Sequence, residues 1–282
     1  MKSSKTISSL IVSLFILLLS SVSKANPETI SIGADPWCPY NCDPYDENQG
    51  LMVDIASAAL ALSNYKLDYK IINWARAKRL VQLGKLDGII GMSRNKNSEP
   101  LYYFPNTPLG RSQVCIYKLS NKNWEYKSTD SLHNKTFGWI NGYGFATDPL
   151  DQWVKDHAST DKLVNLAGTD VHGRLFKLMQ LGRIDTFAED RNVIAFELKK
   201  RGMEQDFSIA GCLESVDNVH LAFSLKSINK EKWANALDSG IYQLFKNGQL
   251  ERILSPYGLT IENWLDKNKN KYETELFRGV NN

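Results

Sequence analysis

The chain has 282 residues, 34 Lys and Arg against 31 Asp and Glu, a formal charge of +3 and four cysteines. Three lysines, Lys2, Lys5 and Lys24, stand in the first 25 residues without an acid among them, so the remainder is neutral. A neutral chain gives no electrostatic case for nucleic acid or an anionic membrane surface as partner.

In chain order, residues 1–25 combine a basic start, the apolar block Leu10–Leu19 and the close "SVSKA". This is the pattern of a secretory signal peptide, with cleavage expected after Ala25, and the apolar run is too short for the ~20 residues of a spanning helix. Export to an oxidising compartment then makes Cys38, Cys42, Cys115 and Cys212 read as two disulfides. Cys38 and Cys42 are near enough to pair locally, with Pro39 favouring a turn between them, and Cys115 with Cys212 would close a long loop. No His stands near either local Cys at zinc-ligand spacing, so no metal site is expected, and C-x3-C is not the redox C-x-x-C pattern.

"TISIGA" (29–34) reads as a strand, 51–63 as an apolar-faced helix, "KLDYKII" (66–72) as a strand and 75–83 as a helix. The second half repeats the alternation: a strand at 135–140, a helix near 148–157, a strand at 162–167, a helix at 171–181 and a strand near 184–188. "VHLAFSLK" (219–226) alternates again before a long helix over 229–247. "RLVQLGKLD" (79–87) and "KLMQLGRID" (177–185) match at five of nine positions. Each ends a helix on a Gly, Gly84 or Gly182, and enters a strand, so one helix–strand unit stands in each half. Two similar α/β lobes with largely parallel sheets follow. The polar tail at 265–282 has the composition of a fraying end.

In such sheets ligands bind beyond the carboxyl ends of strands, which selects 35–45, 73–76, 92–98, 141–147 and 189–191. These segments offer Asp35, Trp37 and Tyr40; Trp74 and Arg76; Ser93 and Arg94; Tyr143 and Phe145 in a Gly-rich turn; and Glu189, Asp190 and Arg191. Flat aromatics with a few fixed charges suit a small polar ligand. Each also has a structural reading: Trp37 and Trp74 as packing between loop and sheet, Arg76 as half of an ion pair, Asp190 as the cap of the following helix. His133, His157, His172 and His220 are scattered and read as ordinary surface or core residues.

"GLMVDIASAAL", "WARA…VQLGKLDG", "YFP…PL", "GYGF" and "LGRID…DRNV", in order and spacing, resemble the bacterial family 3 extracellular solute-binding proteins, the polar-amino-acid type of ABC-transporter component. The resemblance covers essentially the whole mature chain. It implies a periplasmic binding protein of type II, with two lobes, each a mostly parallel sheet flanked by helices, joined by a two-segment hinge. Lobe 1 would be 26–112 plus 216–282 and lobe 2 would be 113–215, with Cys115 and Cys212 tying the ends of the inserted lobe.

The resemblance also exposes a departure. Its amino-acid binders carry an Arg in T-x-E-R that grips the ligand's α-carboxylate, and here Ser98 stands at that position, with Arg94 four residues earlier. Asp190 matches the residue that holds the α-amino group. The expectation is therefore a small polar ligand, amino acid-like or an amine, bound without cofactor by a monomer. Its carrier role would be to a membrane permease complex, or alternatively to a sensory receptor. An enzyme on the same fold is the weakest reading, because no Ser-His-Asp, Cys-His or metal constellation is present in the sequence.

Overall fold

A computed structural model describes residues 26–144 and 149–264. The expected signal segment, Phe145 and the tail from 265 lie outside the described residues. Elements in chain order are β1 (Glu28–Ala34), α1 (Leu51–Ala61), β2 (Tyr65–Ile71), α2 (Trp74–Gln82), β3 (Gly88–Ser93), β4 (Tyr102–Tyr103), β5 (Gly110–Ser112) and β6 (Val114–Leu119). They continue with β7 (Phe137–Ile140), α3 (Pro149–Asp156), β8 (Leu163–Leu166), α4 (Val171–Gln180), β9 (Thr186–Asp190), α5 (Arg191–Arg201) and β10 (Phe207–Cys212). β11 (Asp217–Ser224), α6 (Lys230–Lys246), α7 (Gln249–Leu254) and α8 (Ile261–Trp264) follow among the described residues.

Two sheets result. The first runs β2-β1-β3-β11-β4 with β5 also on β11; the second runs β10-β6-β9-β7-β8. In each, one β-α-β-α-β unit places its first strand between its second and third, all parallel: β2-β1-β3 and β8-β7-β9. The sequence repeat sits at the same joint of both units. Gly84 and Gly182 follow α2 and α4 with φ of 72° and 66°, a left-handed conformation that costs glycine least. The strand beside each unit comes from elsewhere in the chain, β11 on β3 and β6 on β9, and both pair antiparallel. The sheets are therefore mixed rather than mostly parallel. The physical reason is that these strands belong to the two segments that pass between the sheets, and a passing chain returns in the opposite sense.

Alternation along the inner strands buries both faces, as a sheet covered on both sides requires. In the first lobe Ile30, Ile32 and Ile90 pack under α1 and α6, while Ile89 and Ala222 meet Ala77 and Val81 of α2 on the other face. In the second, Phe187 packs with Leu175, Phe176 and Leu198, and its neighbour Ala188 faces Phe137 and Leu150. The chain crosses between sheets at Gln113, between β5 and β6, and at 213–216, between β10 and β11. These two crossings lie side by side: Asp217 pairs with Ser112, Leu213 N donates to Val114 O at 2.9 Å, and Cys212 pairs with Cys115. Both disulfides form, Cys38–Cys42 and Cys115–Cys212, the latter fastening β6 to β10 at the crossing.

Candidate functional site

All five segments selected for following a strand contribute to one cleft of about 330 Å3 between the lobes. Asp35, Trp37 and Asn41 come from the loop after β1, Trp74 and Lys78 from α2, Ser93 from the end of β3 and Ser98 from the loop after it. The second lobe supplies Gly142 and Tyr143 after β7, Asp151 and Lys155 on α3, and Glu189 at the end of β9; Asp217 lies at the crossing. Its size falls within the ~300–1,000 Å3 usual for small-molecule sites.

Hydrogen bonds reach across from one lobe to the other. The Tyr143 hydroxyl donates to Asp35 Oδ2 at 2.9 Å, and Trp37 Nε1 donates to Glu189 Oε1 at 3.0 Å. Lys78 Nζ donates to the Gly142 carbonyl at 2.9 Å, and Asn192 Nδ2 donates to the Tyr40 hydroxyl at 2.8 Å. The lobes are thus closed upon one another, with the rings of Trp74 and Tyr143 meeting edge-on at 6.1 Å.

The electrostatics of this seam are unusual. Burial raises the Asp35 carboxyl to about 7; the Tyr143 hydrogen bond opposes the rise and the Glu189 charge adds to it. Burial and the Asp35 and Glu189 charges push the Tyr143 hydroxyl far up. Glu189 is 2 % exposed and accepts at Oε2 from His172 Nε2 at 2.8 Å and at Oε1 from the Asp190 amide at 2.7 Å. For His172 burial pulls the imidazole down, but the Glu189 hydrogen bond and charge outweigh it, so the net shift is upward. Burial lowers Lys78, and the nearby Asp151 charge opposes that.

Asp35, Trp37, Trp74, Ser93 and Tyr143 line the cleft as the sequence suggested. Tyr40, Arg76, Arg94 and Asp190 do not. Tyr40 is buried behind Trp37, stacked on it at 4.5 Å, and its hydroxyl donates to Arg111 O at 2.6 Å. Arg76 stands two positions from both Trp74 and Lys78, which share one face of α2 by their i, i+4 spacing, so it projects away and is exposed. Arg94 is exposed and paired with Glu99 at 2.8 Å. Asp190 is wholly buried as the cap of α5: Oδ1 accepts from the Asn192 and Val193 amides at 2.8 and 3.1 Å, and Oδ2 from Gln113 N at 3.0 Å. Its burial raises it to about 6, with the Val193 amide opposing and the Glu189 charge adding.

Sequence reasoning passed over Lys78, His172, Asn41, Ser98, Asp151 and Asp217 as site residues, and set Glu189 aside as one common acid among many. Lys78 was legible, one helical turn after Trp74. His172 carried no local signal: it is buried in the second lobe's core, and its partner Glu189 is 17 residues further on.

The sequence profile of the bacterial extracellular solute-binding proteins, family 3, matches residues 30–260. The chain is 23 % identical over 239 residues to the probable amino-acid-binding protein YxeM of Bacillus subtilis (strain 168), covering 84 % of this chain and 87 % of that one. Its fold is similar to a histidine kinase sensor domain with similarity to periplasmic binding proteins, with a TM-score of 0.67 at 15 % identity over 82 % of this chain and 96 % of that one. It is also similar to the arginine-, lysine-, histidine-binding protein ArtJ of Geobacillus stearothermophilus, with a TM-score of 0.65 at 18 % identity over 88 % and 99 %. An ancestral arginine-binding protein bound to arginine gives 0.64 at 19 % identity over 82 % and 99 %.

Proposed function

Because the chain belongs to the bacterial extracellular solute-binding proteins, family 3, we propose that it captures a small polar solute, amino acid-like or an amine, in the cleft between its lobes. It works without chemistry, as an exported monomer, and hands the solute to a membrane permease complex. The observation that supports this reading best is the pair of bonds Tyr143–Asp35 and Trp37–Glu189, which join side chains of the cleft wall across the two lobes. A solute that touches both walls stabilises the closed form by its differential contacts, and the closed form is what a permease reads. Asp35, Trp37, Trp74, Ser93 and Tyr143 are the residues assigned to solute contact. The discontinuous lobe 1 (26–112 and 216–282) and the inserted lobe 2 (113–215) move as units about the paired crossings.

A thermal-shift panel of amino acids, amines, organic acids and sugars tests the reading, since binding raises the melting temperature by mass action. A saturable shift with at least one class supports it; no shift across the panel refutes it. A sensory role is the second reading, favoured by the similarity to a histidine kinase sensor domain. Permease and ATPase genes beside this one support transport, and a receptor kinase gene in their place supports sensing.

A further inference from the structure

We propose that the cleft is built for a small organic cation, a primary amine or guanidine that carries no carboxylate. The inference rests on the reading of the cleft as a solute site and names the class of solute.

The charge of the cleft wall carries it. Four carboxylates line the cleft, Asp35, Asp151, Glu189 and Asp217, against two lysines, Lys78 and Lys155, and no arginine among the described residues. Lys78 is already engaged, donating to the Gly142 carbonyl and standing in the field of Asp151. Lys155 is exposed to water, where an ion pair is worth little. A carboxylate in the cleft would therefore lose its hydration and face like charges on several sides without a bidentate partner. The arginine nearest in sequence to the cleft loop, Arg94, points outward to Glu99. Ser98 is in the wall, but its hydroxyl donates to Ser93 O at 2.7 Å and so closes its own loop.

For a cation the same wall is favourable. Asp35 lines the cleft and accepts from Tyr143 at Oδ2 and from its own amide, so a bound N–H donor would meet a carboxyl already held in place. Glu189 is held in place by Trp37 and His172, and His172 offsets part of its charge, so Asp35 carries more of the attraction. Trp37, Trp74 and Tyr143 line the cleft beside these acids, and the face of an aromatic ring attracts ammonium and guanidinium groups. Burial makes an ionised Asp35 costly in the empty cleft, and a bound cation reverses that cost.

Three amine and amino-acid pairs that differ only by the carboxylate test this on the purified protein by calorimetry at pH 8: agmatine with arginine, cadaverine with lysine, putrescine with ornithine. The proposal expects at least one amine to bind about tenfold or more tighter than its parent, a difference of about 1.4 kcal/mol. It also expects Asp35→Asn to weaken that amine by at least about tenfold, with Arg94→Ala leaving it unchanged. Parents that bind as tightly as their amines, or better, overturn the proposal while the solute-binding reading stands. Silence of all six compounds beside binding of an organic acid or sugar overturns it in the same way. Silence across every class refutes both.

Discussion

Asp35→Asn is the most informative single change, because it separates charge from shape. The amide keeps an acceptor for the Tyr143 hydroxyl, which donates to Asp35 Oδ2 at 2.9 Å in the native cleft. The unfolded carboxyl titrates near 3.8 and the folded one near 7. Between these values the folded chain holds a proton that the unfolded chain has released. The contribution of Asp35 to stability is therefore fully present below pH 4 and is lost as pH rises through 7. At about 1.4 kcal/mol per pH unit, the whole span is worth at most about 4 kcal/mol. Asp35 is 7 % exposed and shares its surroundings with Glu189 and His172, so a loss of about 1–4 kcal/mol is expected. Asp190 adds a dependence of the same sign, which cancels when the variant is subtracted from the native protein. Urea unfolding of both proteins at pH 4.5, 6 and 8 reads the effect. The variant gains on the native protein by that amount as pH rises from 4.5 to 8. Two stability curves that stay parallel from pH 4.5 to 8 would refute the argument that burial of this carboxyl dominates the seam.

Four other outcomes follow from the same structure. His172 has a raised imidazole through Glu189, so its contribution is present below its unfolded value near 6.5 and lost as pH rises through the folded one. His172→Gln should accordingly cost more stability at pH 5.5 than at pH 8.5 in the same urea assay. Replacing Cys115 and Cys212 by Ser, which opens a loop of sequence separation 97, should cost about 4–5 kcal/mol in the chain-entropy model, against about 2 kcal/mol for the Cys38 and Cys42 pair of separation 4. The Cys38 and Cys42 double variant should instead lose solute affinity, because it frees the loop that carries Trp37; equal losses of affinity in both double variants would refute that role. Gly240→Ala places a Cβ 2.3 Å from the Ala59 carbonyl oxygen, where α6 crosses α1, and thermal unfolding should show a loss of about 1–3 kcal/mol.

The alternation of strands and helices was legible because it rests on period: Ile30, Ile32 and Ala34 in β1, or Ala77 and Val81 in α2, are spaced as their elements demand. The nine-residue repeat pointed to two like units because its Gly ends a helix the same way in both. What local pattern could not supply was direction: nothing in "VHLAFSLK" says that β11 returns antiparallel on β3, since that depends on where the chain crosses between sheets. The cleft followed the same division. Proximity to a strand end found Asp35, Trp37, Trp74, Ser93 and Tyr143. It also selected Tyr40, Arg76, Arg94 and Asp190, whose side chains point elsewhere for reasons of stacking, helix phase, ion pairing and capping. Glu189 became visible only with Trp37 and His172 beside it, two partners 152 and 17 residues away.

The central claim, that solute is held between the lobes by this wall, is tested most directly by one calorimetric comparison. The solute that stabilises the native protein most is titrated into Trp37→Ala, Gly142→Val, Arg76→Ala and Arg94→Ala. Trp37 bridges to Glu189, and Gly142 has a φ of 85°, where a Cβ would stand 3.0 Å from the Ala75 Cβ across the seam. The account predicts that the first two variants lose affinity by about tenfold or more and that the two arginine variants stay within about twofold of native. Loss of binding in the arginine variants, with Trp37→Ala and Gly142→Val unaffected, would contradict it and place the solute elsewhere.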